Sequence, residues 1–124
     1  MTQEDKELLL KDLCARLPYS VKIYMPDLWI NEARVEVLNE IFKVGDASYC
    51  VNDSGMPIEH IKPYLFPLSS MTEEQKKEEY EICKYYLNGY ESKLIDFYNK
   101  NHFDYRGLIP KGLANDATGL NIYE

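Results

Sequence analysis

Leu9, Leu10, Leu13, Cys14 and Leu17 recur at three- and four-residue spacing, while Glu4, Asp5, Lys6, Lys11 and Asp12 fill the positions between them. That period puts an apolar stripe on one side of a helix and a polar face on the other, and it predicts α structure over residues 3–16. Thr2 is the N-cap expected for it, with Asp5 at the third helical position and acids in the first turn suiting the helix dipole. Pro18 ends the helix, because its ring clashes with the preceding turn and it has no N–H to donate. From Tyr19 the period changes to two. Val21 and Ile23 alternate with Ser20, Lys22 and Tyr24, which predicts a strand followed by a Pro26-Asp27 turn. Residues 34–44 alternate again and predict a second strand whose last part also reads as helix. Gly45-Asp46 marks a turn, residues 47–51 a third strand, and Asn52-Asp53-Ser54-Gly55 another turn before a short extended piece from Pro57 to Ile61.

Pro63 and Pro67 each lock φ and withhold an amide donor, so residues 63–67 are expected to run extended and apart from any sheet ladder. Thr72-Glu73-Glu74-Gln75 has the form of a capping box and opens a helix over 73–88. Its stripe is Tyr80, Cys83 and Leu87, with Ile82, Tyr85 and Tyr86 beside it, and Asn88-Gly89 is a left-handed stop. A further helix over 91–101 turns Leu94, Ile95, Phe97 and Tyr98 inward, and the short link predicts an antiparallel helical hairpin. Residues 104–119, punctuated by Gly107, Pro110, Gly112 and Gly119, read as short turns, and residues 120–123 as a closing strand. The pattern thus predicts an α+β fold: an N-terminal helix, a small antiparallel sheet of three to four strands, and a C-terminal helical hairpin. Residues 1–61 would hold the helix and sheet, 62–72 an extended proline strap, and 73–124 the helical half. Neither half carries enough apolar surface for a core of its own, so a single domain over 1–124 is expected.

The chain has 124 residues, 45% hydrophobic and 28% charged, which is ordinary for a globular protein. No run approaches the roughly 18 apolar residues that span a bilayer, and the first residues are acidic and polar where a secretory signal is basic and then apolar. A cytoplasmic protein with no membrane partner is the expectation. Fourteen basic against 21 acidic residues leave a net charge of −7, and the arginines are Arg16, Arg34 and Arg106 alone. Nucleic-acid binding needs clustered Lys and Arg, so it is argued against, whereas a basic protein surface suits the charge. Cys14, Cys50 and Cys83 are odd in number and widely spaced, which fits neither a disulfide framework nor a CxxC metal site. Each lies among apolar neighbours and reads as a small core residue.

Candidate chemistry is sparse. His60 and His102 lack convergent Cys, Asp or Glu; a helix-end histidine favoured by the dipole is the plain reading of His102. Asp104-Tyr105-Arg106-Gly107 admits two readings. Arg106 could hold a carboxylate or phosphate with Tyr105 stacked on a ring and Lys111 nearby, or Asp104 could cap the next short helix while Arg106 pairs with a local acid. Glu73, Glu74, Glu78, Glu79 and Glu81, interleaved with lysines, read as a solvated helix face and not as a catalytic carboxylate pair. Eleven tyrosines are the one compositional excess, suited to interfaces or to a half-buried core. Trp29, between two strands, is either a plug of the core or an exposed contact. No GxxxxGK[ST], GxGxxG, GxSxG or HExxH occurs. No catalytic residue, metal ligand or cofactor is assigned, and a non-enzymatic role is favoured.

The segments Lys62-Pro63-Tyr64-Leu65-Phe66-Pro67-Leu68-Ser69-Ser70-Met71-Thr72-Glu73-Glu74 and Asp96-Phe97-Tyr98-Asn99-Lys100-Asn101-His102-Phe103-Asp104-Tyr105-Arg106-Gly107-Leu108-Ile109 carry a resemblance, together with the leucine-rich start of the chain. They resemble small proteins of gut Bacteroidetes and their phages and prophages, a group with no established activity. The middle, about residues 22–55, departs from that pattern. The resemblance implies a phage or mobile-element setting and carries over no functional residue. Two expectations follow. The first is an accessory protein, anti-defence or regulatory, that binds a host protein through Trp29, Glu73, Glu74 and Glu78. The alternative is a small-molecule or nucleotide binder acting through Tyr105, Arg106 and Lys111.

Overall fold

A computed structural model describes residues 1–27, 32–46, 48–85 and 90–123. Helix α1 (Gln3–Arg16) begins where expected: the Thr2 hydroxyl accepts from the Asp5 amide, and the Asp5 carboxylate accepts in return from the Thr2 amide. Pro18 then shortens the chain into a 3-10 turn over Leu17–Tyr19, closed by Ser20 in a left-handed conformation. Strands β1 (Lys22–Asp27) and β2 (Glu32–Val37) form an antiparallel pair with Tyr24 opposite Val35. Pro26 lies inside β1 and not in a turn, and the connection over 28–31 falls outside the described residues. Where one long strand was expected over 34–44, the chain makes two in separate sheets. Strand β3 (Ile41–Val44) pairs with β4 (Ser48–Val51), and β4 with β5 (Met56–Pro57).

Asn52 is the reason for that break. It is buried at positive φ, and its side-chain oxygen accepts from the amides of Asn39 (2.8 Å) and Glu40 (3.3 Å) while its amide donates to the Val37 carbonyl (2.9 Å). The groups freed where β2 ends are thus satisfied by one side chain from the β4–β5 turn.

The proline segment is extended as expected, but it lies within the ladder. Strand β6 (Lys62–Pro67) is the centre of the main sheet: antiparallel to β1, and parallel to two short strands, β7 (Phe103–Asp104) and β8 (Asn115–Asp116). The register explains why two prolines are tolerated. Residues 62, 64 and 66 turn their backbone groups toward the edge shared by β1 and β7, where the Phe66 amide donates to the His102 carbonyl at 2.8 Å. Pro63 and Pro67 fall in the other set. There Leu65 makes the bonds to β8, its carbonyl accepting from the Ala117 amide at 2.8 Å, so neither missing N–H is required.

The main core joins Leu9 and Leu13 of α1 to Val21, Ile23, Met25, Leu38, Val51, Ile58, Ile61, Leu65, Leu108 and Leu113. Helices α2 (Glu73–Tyr85) and α3 (Tyr90–Lys100) close a second cluster of Met71, Phe97 and Phe103 with Phe66, Ile82, Leu94 and Tyr98. The expected Asn88-Gly89 stop lies outside the described residues. Ile95, expected inward, is 40% exposed, because the inward stripe of α3 is Leu94, Phe97 and Tyr98. Residues 120–123 form turns and not a strand. Cys50 is buried, but Cys14 and Cys83 are exposed on helix faces turned from both cores. Among the described residues no helix is long and apolar enough to cross a membrane.

Candidate functional site

The polar face expected on α1 is interrupted by two residues that are fully buried, Asp12 and Arg16. They stand four apart, one turn from each other and on the same stripe as Leu9 and Leu13. The Arg16 Nε donates to Asp12 Oδ2 at 2.8 Å and Nη2 donates to the Phe103 carbonyl at 2.6 Å. The second Asp12 oxygen accepts from Nη1 of Arg106 at 2.9 Å. One carboxylate therefore bridges two guanidiniums from opposite ends of the chain. The pair is buried because α1 lies over the point where β7 leaves the sheet, and a charge there is stable only with a partner.

The loop that delivers Arg106 is held by Asp104, whose carboxylate accepts from the amides of Leu108 (2.8 Å) and Ile109 (2.9 Å). Gly107 turns the chain at φ 75°. Between them lies Tyr105, its ring centroid 5.3 Å from the Arg16 guanidinium carbon, 4.6 Å from that of Arg106, and 5.4 Å from the stacked ring of Tyr98. Tyr98 continues the chain of contacts to α2 by donating to Glu79 at 2.7 Å. Burial, reinforced by that bond and by the Glu79 charge, raises the Tyr98 hydroxyl far above its ordinary range.

Beside this cluster, in the turn that follows α3, His102 is held at φ 62°, a conformation a β-carbon disfavours. Its ring stacks on Tyr123 at 3.8 Å. The Tyr123 hydroxyl accepts from the Lys22 amide (2.9 Å) and donates to the Tyr64 carbonyl (2.7 Å), filling the gap where β1 and β6 part. Lys22 Nζ also donates to the Ile122 carbonyl. Burial, with the Arg16 and Lys22 charges adding to it, pushes the His102 pKa down to about 4. The dipole argument from sequence anticipated the opposite sign, because it left out burial and the two cations. Burial likewise pushes Tyr123 up to about 12.

Of the residues singled out from sequence, Tyr105 and Arg106 belong to this junction, with Arg106 turned inward onto Asp12. Lys111 is exposed on the following turn, and Glu73, Glu74 and Glu78 are exposed on α2, capped by the expected Thr72–Gln75 box. Trp29 lies outside the described residues. Asp12, Arg16, His102 and Tyr123 were not anticipated as a group. The signal for the first two was present, since Leu9, Asp12, Leu13 and Arg16 keep helical spacing on one face. Among the described residues no group of three or more His, Cys, Asp or Glu could hold a metal ion. No family model, curated protein or solved structure matches the chain.

Proposed function

We propose that this chain is a non-enzymatic accessory protein, encoded by a phage or mobile element, that binds a basic surface of a host protein through α2. The observation that carries the reading is the exposed stripe Glu74, Glu78 and Glu81, with Glu73 beside it and Tyr80 65% exposed on the neighbouring stripe. Glu74 and Glu78, at i, i+4, repel one another and cost an isolated helix a few tenths of a kcal/mol, whereas Glu73 and Glu74 in the first turn suit the helix dipole and Glu73 pairs with Lys76 at 3.5 Å. In a chain of net charge −7 these glutamates line one side of α2 with acids, while Lys76, Lys77 and Lys84 flank the exposed Tyr80 ring, Lys84 Nζ lying 6.0 Å from its centroid. The junction around Asp12 gives little support to an enzyme, since its charges are engaged in holding α1 to the β7 loop.

The test is capture of a defined protein from host lysate, with the Glu74→Lys/Glu78→Lys/Glu81→Lys variant and with Tyr80→Ala. The reading expects one basic protein bound by the native chain, released by salt, and lost by the charge-reversed variant. Identical capture by that variant sinks it. The second reading, a small-molecule or nucleotide binder at Tyr105, Arg106 and Lys111, is favoured by the two guanidiniums gathered at one aromatic ring. Stabilisation by a nucleotide that Arg106→Ala abolishes would support it, and a flat thermal-shift screen would not.

A further inference from the structure

The ladder between β1 and β6 stops one bond short. Ile23 stands opposite Pro63 and Tyr24 opposite Lys62, so the next pair in that register is Lys22 opposite Tyr64. Both residues have the phase to bond directly. The Leu38 amide donates to the Val21 carbonyl, so the odd positions of β1 bond to β2 and Lys22 turns toward β6, where Tyr64 belongs to the set facing β1. The Lys22 N–H nevertheless meets a side chain. The Tyr123 hydroxyl lies between the strands, accepting from that amide at 2.9 Å and donating to the Tyr64 carbonyl at 2.7 Å. The segment that brings Tyr123 there is packed only toward its ends. Ala117 is buried, its amide donating to the Leu65 carbonyl at 2.8 Å, and Ile122 and Tyr123 are partly buried. Residues 118–121 between them are exposed, with Gly119 at φ 78°. An open groove of about 420 Å³ is lined by Leu120, Asn121 and Ile122 of this arm and by Val35 and Val37 of β2, so the arm does not settle onto the sheet.

We propose that residues 118–123 are a releasable strap, and that β1 and β6 close through a direct Lys22–Tyr64 bond when Tyr123 leaves. Release exchanges the two hydroxyl bonds for one ladder bond and a hydrated phenol, so the Lys22 amide and the Tyr64 carbonyl are satisfied in both states. The closed strap is held by the Tyr123 ring, stacked on His102 at 3.8 Å and 5.8 Å from Phe66, and by Lys22 Nζ donating to the Ile122 carbonyl. These contacts couple release to His102. The charged groups facing that imidazole are Arg16 from α1 and Lys22 from β1; Tyr123 covers it from the strap, and β6 contributes the uncharged Phe66, whose amide bonds to the His102 carbonyl. Burial is the first cause of the His102 pKa near 4, and Tyr123 supplies part of that burial. Release uncovers the ring and returns its pKa toward 6.5, so protons favour the released state. Release becomes easier as pH falls below about 6.5 and is indifferent to pH above it. This inference is independent of the α2 contact and of any ligand at Arg106.

The experiment is nuclear magnetic resonance of the full chain and of Tyr123→Ala, reading hydrogen exchange of the Lys22 amide and the pKa of His102. In the variant the Lys22 amide passes to the Tyr64 carbonyl, so its exchange rate should stay within about tenfold of the native one. A larger acceleration, with the Ala117 amide still protected, means that the hydroxyl was a passive filler and overturns the proposal. The His102 pKa should rise in the variant by at least about one unit, and a value left unchanged overturns the coupling to pH. Should Ala117 lose its protection as well, the variant has not kept the fold, and the native chain decides through cleavage by chymotrypsin after Leu120. A cleavage rate indifferent to low urea shows the strap opening by itself and supports the proposal. A rate that climbs with urea in step with global unfolding overturns it.

Discussion

Asp12 is the residue on which most depends, because a single carboxylate neutralises a guanidinium that has no route to water. Removing it leaves Arg16 buried and uncompensated, a situation that costs about 3–5 kcal/mol in comparable buried pairs. Asp12→Ala should therefore lower the unfolding free energy by about that amount, read from urea titration. Replacing both members by apolar side chains of similar volume, Asp12→Leu with Arg16→Met, should restore much of it. Equal losses from the single and double variants would mean that the pair has no special role. Asn52 has a comparable place among neutral residues, since one side chain answers for three backbone groups that no strand pairs.

At the scale of elements, the end of α3 and the C-terminal segment are joined by one stack, His102 on Tyr123. Its pH dependence has a definite sign. The folded pKa near 4 lies below the ordinary 6.5, so between these values the unfolded chain takes up a proton that the folded chain refuses. The stability that neutral His102 contributes is complete above about pH 6.5 and is lost as pH falls toward 4. A loss of about 1–2 kcal/mol is expected, reduced from the full shift because the ring is partly open to solvent. Urea unfolding at pH 7 and pH 5 measures it, with His102→Asn as the comparison, since asparagine tolerates positive φ and does not titrate. A slope that persists unchanged in His102→Asn assigns it to other groups. The edge strand β2 shows a different device. Arg34 and Glu36 stand opposite Met25 and Ile23, so charged side chains occupy the face that elsewhere faces the core, which discourages another chain from adding to that edge.

Across the whole molecule, β6 binds the two halves of the chain, with β1 from the first half and β7 and β8 from the second. Sheet and helices should accordingly unfold together. Near-ultraviolet and far-ultraviolet circular dichroism are expected to give coincident transitions in urea, and two separated midpoints would show that residues 1–61 and 73–123 unfold independently. Periodicity sufficed for what local geometry controls. The Thr2 box, the 3–16 helix, the Thr72 box and the start of α2 are all set by contacts within four residues, and the sequence alone determined them. An α+β chain with an N-terminal helix and helices in its C-terminal part was likewise legible. Only the tertiary structure decided the rest. Whether Pro63 and Pro67 exclude a strand depends on which edge their missing donors face. Whether Asp12 and Arg16 are surface charges or a buried pair depends on Arg106, 94 residues further along the chain. The sign of the His102 shift depends on burial and on two distant cations. Each turns on a neighbour remote in sequence, and hydrophobic patterning carries no information about which remote groups will meet.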